Sequence, residues 1–235
     1  MSEFPRQPEP EYMDDTAEAV AYAEADFAEV NAAFVERLLE LAGQRTTASA
    51  VDLGTGPGDI PIRLAKARPA WSIAAVDASE AMLAIARRGA DEAGVNGQIK
   101  FLLADAKTLP LPDGCGDVVL SNSILHHVND TASLWSQVRR IARPGAVVLF
   151  RDLCRPSSRE AAAEIVREHA GGESELLQEE FYRSLLSAYT PEEARAQLAA
   201  AGLGSLVVQR VTDRHMDIFG VVEDPPQPQQ DGTTG

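Results

Sequence analysis

Val51-Asp52-Leu53-Gly54-Thr55-Gly56-Pro57-Gly58-Asp59 is the stretch whose reading decides the fold. A short apolar run, Ala50 to Leu53, ends in three glycines at alternate positions, and a helical pattern follows from Ile60. Glycines at this spacing let the backbone turn sharply and approach a ligand closely, while the helix beyond offers free N–H groups and a positive dipole end. Strand, glycine loop and helix in that order predict the first βα turn of a doubly wound nucleotide-binding sheet.

Working outward, Ile60 to Ala67 reads as a short helix and Ser72 to Val76 as a strand that ends in Asp77. An acid about twenty residues after such a loop can accept bonds from both hydroxyls of a ribose. Ser79 is placed to cap the next helix, whose apolar face includes Met82, Leu83 and Ile85. A third strand, Ile99 to Ala104, runs into Asp105-Ala106. A fourth begins at Gly116 and leads into Ser121-Asn122-Ser123-Ile124-Leu125-His126-His127-Val128. Asp130 caps a helix ending at Arg143-Pro144-Gly145, and a fifth strand, Ala146 to Phe150, ends in Arg151-Asp152. Leu206 to Val211 and Asp217 to Val222 close the pattern as two further strand-like runs.

The spacing discriminates between ligands. A dinucleotide fingerprint wants its third glycine at position 59; here that position is Asp59 and the glycine stands at Gly58. Acid-x-Gly-x-Gly-x-Gly, Asp52 to Gly58, resembles motif I of the class I S-adenosylmethionine (SAM) dependent methyltransferases. The resemblance covers roughly residues 45–222. It implies a Rossmann-like, doubly wound, mostly parallel seven-stranded sheet with a C-terminal antiparallel hairpin and helical cap segments. It also implies SAM as cofactor and S-adenosylhomocysteine as product, held by Asp52, Gly54, Thr55, Gly56, Gly58, Asp77, Ala78, Asp105, Ala106 and Asn122. Within that resemblance Asp77 takes the ribose and Asp105 the adenine amino group. The segment after strand four lacks the Asn-Pro-Pro-Tyr of amino-directed members. Its Leu-His-His-Val ending is similar to the small-molecule branch that includes the ubiquinone and menaquinone biosynthesis methyltransferases.

Bulk properties agree with a soluble α/β protein. The 235 residues are 45% hydrophobic and 24% charged, enough for one domain with a sizeable core. The formal charge of −15, with three lysines and no basic stripe, argues against nucleic acid and anionic membranes as partners. No apolar run is long enough to span a bilayer and no signal-peptide pattern is present, so a cytoplasmic address is expected. Cys115 and Cys154 lack metal-like spacing and read as two free thiols.

Residues 1–13, rich in Pro and Glu, are expected to be disordered, as is the tail 223–235, which leaves a single domain over 14–222. Within it, residues 14–43 read as N-terminal lid helices, with Phe27, Val30, Phe34, Leu38 and Leu41 on one face. Tyr22 and Phe27 are lid aromatics or core fillers. A helical insertion over 155–189 extends past the length a crossover needs and is expected on the substrate side.

For chemistry, the candidate bases are His126 and His127, since a histidine is partly neutral near pH 7. Adjacent residues diverge, so at most one faces the methyl; the alternative is that neither is catalytic. Tyr22, His126, Arg151, Tyr182 and Tyr189 are the candidate substrate contacts. The four histidines are too dispersed in sequence to suggest a metal. The expected partner is a small-molecule metabolite offering an O, N or C nucleophile to a monomer or homodimer. The competing functions are a non-catalytic SAM-binding module and a nicotinamide-dependent oxidoreductase, the latter disfavoured by Gly58 and by the lack of an evident Tyr-x-x-x-Lys pair.

Overall fold

A computed structural model describes residues 4–10 and 27–223. Tyr22, with the rest of the lid segment up to residue 26, and the tail beyond Glu223 lie outside the described residues.

The glycine loop joins β1 (Ser49–Leu53) to α2 (Asp59–Ala67), preceded by α1 (Ala28–Ala42). Then follow β2 (Ser72–Asp77), α3 (Glu80–Glu92), β3 (Ile99–Leu103), β4 (Gly116–Asn122), α4 (Thr131–Ile141) and β5 (Ala142–Leu153). Helices α5 (Arg159–Ala170), α6 (Glu175–Ser187) and α7 (Pro191–Ala200) lead to β6 (Val207–Arg210) and β7 (His215–Val221). The seven strands lie in the order β3-β2-β1-β4-β5-β7-β6. β1 to β5 are parallel, and β7 runs antiparallel to both β5 and β6.

Strand alternation splits the core into two layers, because successive side chains point to opposite faces of a sheet. Ala50, Ile73, Ala75, Val118, Leu120, Val147 and Leu149 pack beneath Phe34 and Leu38 of α1 and Ile60 and Leu64 of α2. Val51, Leu53, Val76, Val119, Val148 and Phe150 face Leu134, Trp135 and Val138 of α4 and Leu198 of α7. Both faces are covered, as a parallel sheet requires.

Local signals fixed several helix starts. The Ser79 hydroxyl accepts a bond from the Met82 N–H, and Asp130 accepts one from Ser133 N–H. Thr190 and Glu193 form a reciprocal capping box with Pro191 at the first position of α7.

Three expectations need correction. Residues 4–10 are not a free tail: Phe4 packs against the cluster of Leu153, Val166 and Leu186, and Gln7 N–H donates to the Leu186 carbonyl. A Pro- and Glu-rich composition lowers the drive to fold alone, but Phe4 finds an apolar cluster, and Arg6 and Glu9 find hydrogen-bond partners in Ser187 and Ser184 of α6. The helix capped by Asp130 ends at Ile141 and does not reach Arg143-Pro144-Gly145. That tripeptide belongs to β5 at a register shift, where the partner of Gly116 is Ala142 and that of Val118 is Val147. At the start of α1, Phe27, which precedes the helix, and Val30 in its first turn are 37% and 42% exposed. The buried stripe begins at Phe34, and Phe27 does not fill core.

Candidate functional site

The carboxyl ends of β1, β2, β3, β4 and β5 share one edge, and the order of strands reverses between β1 and β4, which opens a crevice there. That edge brings together the glycine loop, Asp77-Ala78, Asp105-Ala106 and Asn122, which are dispersed over seventy positions of the sequence.

The loop is defined by its backbone. Gly54, Gly56 and Gly58 all have positive φ, at 69°, 54° and 86°. A Cβ at Gly54 would lie 2.8 Å from Ile124 Cδ1, and one at Gly58 would lie 2.7 Å from Ala86 Cβ and 3.0 Å from Ala86 Cα. Gly54 therefore allows the β4 turn to press on the loop, and Gly58 allows α3 to pack under α2. At Gly56 a Cβ would meet nothing within 4 Å, so this glycine faces open space over the crevice. Gly54 and Thr55 donate their N–H groups to the Val76 carbonyl, and Gly58 N–H donates to Thr55.

Two carboxylates hold this turn from different sides. Asp77 accepts the Gly56 N–H at 2.7 Å on Oδ2 and the Ser79 N–H at 2.9 Å on Oδ1. It is half-buried, and burial lifts its pKa against the pull of the N–H groups of Ser79, Gly56 and Ala78. Each oxygen keeps a second lone pair, so the acid that braces the loop can also receive two hydroxyl groups from the open side. Asp52 is different. It lies beneath the loop at 2% exposure and accepts the Thr55 hydroxyl at 2.6 Å. Burial pushes its pKa up to about 7, with Asp77 adding and the Thr55 bond opposing. Its place is under the loop as a support, with its carboxyl turned to Thr55.

Farther along the edge, Ala78 is exposed and Asp105 half-buried, while Ala106 is buried. Asp105 accepts the Lys107 N–H at 2.8 Å and pairs with Lys107 Nζ at 3.3 Å. Asn122 donates to Asn31 of α1, and Asn31 donates to Asp59 at the start of α2. Helix α1 is thus stitched over the crevice by side chains on three elements. Sequence reasoning missed Asn31; nothing in its local pattern distinguishes it from a surface polar residue.

The residue after Asn122 carries strain. Ser123 is the one described non-glycine residue with positive φ, at 65°, and its N–H donates to the Arg151 carbonyl. This bend sends Ile124 under Gly54 and carries Leu125-His126-His127 into a 3₁₀ turn. There His126 is buried, at 4% exposure, with Nδ1 2.7 Å from Asp152 Oδ1. Asp152 also accepts the N–H groups of Leu125 and Leu153. Burial disfavours the charged imidazole of His126, but the Asp152 charge and hydrogen bond outweigh it and raise its pKa. Burial and the neighbouring His126 instead push His127 down to about 3. The structure separates the two histidines: His126 is seated on a carboxylate, and His127 is kept neutral. Asp152 was quoted in sequence only as the end of a strand, and the parallel pairing of β4 with β5, Asn122 opposite Arg151, brings it beside the His126 turn.

Residues 4–10 reach this corner. Arg6 donates to the carbonyls of His126 and Ser187 and to Asn129 Oδ1, and its guanidinium stacks 4.3 Å from the centre of the Tyr189 ring. Ser187 Oγ–H donates to the same His126 carbonyl. The Glu9 carboxylate lies between the two histidines.

The remaining substrate candidates are placed otherwise. Arg151 makes a two-pronged ion pair with Asp217, at 2.7 and 2.9 Å, so its guanidinium serves the β5–β7 ladder. Tyr189 is buried and donates its hydroxyl to the Val128 carbonyl. Tyr182 is half-buried on α6 against the third apolar cluster. His169 bonds to Asp213, and His215 begins β7 opposite Leu153 at the carboxyl end of β5.

Residues 51–150 match the family model described as a methyltransferase domain. The chain is 31% identical over 182 residues to 27-O-demethylrifamycin SV methyltransferase of Amycolatopsis mediterranei, covering 76% of this chain and 62% of that protein. It is 34% identical over 109 residues to demethylmenaquinone methyltransferase of Thermus thermophilus, covering 46% of this chain and 49% of the relative. The chain thus spans about half to three fifths of the length of these two relatives. Among solved structures, a SAM-dependent methyltransferase fold from Methanococcus maripaludis superposes with a TM-score of 0.73 at 22% identity, covering 94% of this chain and 100% of that one. The plantazolicin methyltransferase, solved with S-adenosylhomocysteine, gives 0.68 at 14% identity, over 89% and 90% of the two chains. At these identities the structural matches speak for the fold.

Proposed function

We propose that this chain is a class I SAM-dependent methyltransferase that transfers a methyl group to an O, N or C nucleophile of a small-molecule metabolite, a reading supported by its match to a methyltransferase domain model and by its methyltransferase relatives. The observation that carries the reading is the glycine turn at 54–58 braced by Asp77 at the β1/β4 crevice. Bound there, SAM supplies a sulfonium methyl that is already activated, so positioning dominates what the protein must add.

The residues present fit that cofactor. The open face of Gly56 admits a ligand against the backbone. Asp77 has lone pairs for a pair of vicinal hydroxyls, and Asp105 offers an acceptor for an amino group. Asp52 and Thr55 hold the turn in shape from below. On the acceptor side, Asp152 fixes His126 through Nδ1, leaving Nε2 as the atom that can take a proton from an O–H or N–H nucleophile. Tyr182 and helices α5 and α6, over the expected 155–189 insertion, supply the wall of that side. The acidic chain suits a neutral or cationic metabolite rather than a polynucleotide, and two free cysteines suit a reducing cytoplasm. Among the described residues, no helix is long and apolar enough to cross a membrane.

Calorimetry with SAM tests the cofactor assignment. Asp77→Ala removes charge-assisted acceptors and should weaken binding by about 2 kcal/mol, roughly 30-fold; unchanged affinity would refute it. A screen of phenols, enols, amines and carbon acids for S-adenosylhomocysteine release then identifies the acceptor. Tight SAM binding with no release from any acceptor class would instead favour a non-catalytic SAM-binding module.

A further inference from the structure

One cluster beside the crevice is not used by cofactor binding. Glu9 Oε1 lies 3.2 Å from His127 Nδ1 and 3.6 Å from His126 Nε2, and the three atoms all fall within 4.8 Å of one another. Ligands about 2.0–2.2 Å from a tetrahedral metal ion stand roughly 3.3–3.6 Å apart, and the two measured separations bracket that interval. The side chains are also shielded: Glu9 is 11% exposed, His126 5% and His127 27%.

The surroundings prepare the same atoms. Asp152, an acceptor only, receives His126 Nδ1–H, which fixes the tautomer and turns a lone pair on Nε2 toward Glu9. A carboxylate behind a histidine is the arrangement that orients ring ligands on metals and raises their basicity. His127 is hydrogen-bonded to the Pro10 carbonyl, so its ring too is held from the strap side. Two carboxylates, Glu9 and Asp152, face two imidazoles across a few ångströms. Arg6, the nearby cation, spends its N–H groups on Ser187, Asn129 and the His126 carbonyl. A cation at the centre would meet three donor atoms, two imidazole nitrogens and one carboxylate oxygen.

We propose that Glu9, His126 and His127 form a divalent transition-metal site, with three protein ligands and one open position, that fastens residues 4–10 across the histidine pair. Two imidazoles and one carboxylate suit Zn²⁺ or Co²⁺ and not the all-oxygen preferences of Mg²⁺ or Ca²⁺. The binding claim is independent of the methyl-transfer reading. Its consequence for that reading is that His126 Nε2 either ligates the metal or takes a proton, so the metal-bound chain is a closed form.

Cobalt titration of the tag-free, chelator-stripped full chain tests this. One Co²⁺ per chain is expected, with the visible absorption of a tetrahedral site that Zn²⁺ displaces. Glu9→Gln and His127→Gln should each weaken Co²⁺ binding by about 100-fold, at or above the effect of losing an outer-shell partner. Glu168, His169 and Asp213 form a second, exposed group of metal-binding residue types, so Asp213→Asn is the control and should leave the spectrum intact. Melting curves of the metal-free variants establish that they fold; should Glu9→Gln fail to do so, His127→Gln carries the test. Absence of a visible band, its survival in both Glu9→Gln and His127→Gln, or its loss in Asp213→Asn would overturn the assignment.

Discussion

The two sides of the crevice are built on different plans. On the cofactor side, the holding contacts are short in sequence: Asp52 to Thr55 spans three residues and Asp77 to Gly56 spans twenty-one. They run from carboxylates to backbone or to an adjacent hydroxyl, and the strands beneath are central and fully covered. On the acceptor side, His126 meets Asp152 twenty-six residues away, Ser187 sixty-one away and Arg6 one hundred and twenty away. Those contacts join a strand end, a helix end and a terminal strap, each ordered by the others. A site of the first kind is as rigid as its sheet. One of the second kind can open in part, because segments with fewer buried contacts detach at lower free energy than the core.

The sharpest way to break the rigid side is at Gly58. Gly58→Ala places a Cβ at φ 86°, 2.7 Å from Ala86 Cβ and against its backbone. Left-handed strain of about 1–2 kcal/mol and overpacking of about 1–3 kcal/mol should combine to cost about 2–5 kcal/mol of stability in urea unfolding, with loss of SAM binding. The same substitution at exposed Gly97, where a Cβ meets nothing within 4 Å and φ is unexceptional, should change little.

Asp52 sharpens the comparison through pH. Its folded-state pKa, about 7, lies above the ordinary 3.8, so the folded chain holds a proton there that the unfolded chain releases. The stability this contributes is fully present below pH 3.8 and lost as pH rises through 7. Asp52→Asn keeps an acceptor for Thr55 and removes the titration. Relative to wild type it should gain on the order of 3 kcal/mol between pH 4 and pH 8. Parallel urea curves for the two proteins at both pH values would rule out a buried, proton-holding Asp52.

The acceptor side responds in turnover rather than in folding. Asp152→Asn leaves a group of the same shape but removes the charge that holds His126 in place and raises its pKa. With chelator present, turnover should fall about 100-fold, within the range a positioned base contributes. The acidic limb of the pH–rate profile should move to lower pH, because the His126 pKa falls, while SAM affinity stays within about twofold. An unshifted profile would show that His126 is not the titrating base.

The sequence was most informative where structure is local. The glycine triplet and the caps at Ser79 and Asp130 declare themselves within a few residues, and the structure places each as read. Asp77 was found because a strand and a helix fix its distance from the loop. Arg151 at a strand end and Tyr189 after a helix carry no sign in sequence of the partners the structure gives them. Asp217, which claims Arg151, arrives sixty-six residues later on an antiparallel strand. Asp152 and Glu9 stayed hidden for the same reason. No spacing rule connects them to His126, and a composition that disfavours folding alone says nothing about a docking surface supplied by α6.

The smallest expected effect is the most specific to the strap. Arg6 makes hydrogen bonds to two carbonyls and to Asn129 and stacks on Tyr189, yet its loss leaves the sheet and both main core layers untouched. Arg6→Ala should therefore lower global stability by no more than about 1 kcal/mol, the worth of a few partly exposed hydrogen bonds. Its action should instead be local: amide exchange at Gln7 and Glu9, whose N–H groups donate to Leu186 and Ser187, should accelerate while exchange in β1 and β4 stays constant. Equal acceleration in both places would mean that the strap and the sheet open together, and the two-plan description of the crevice would have to be abandoned.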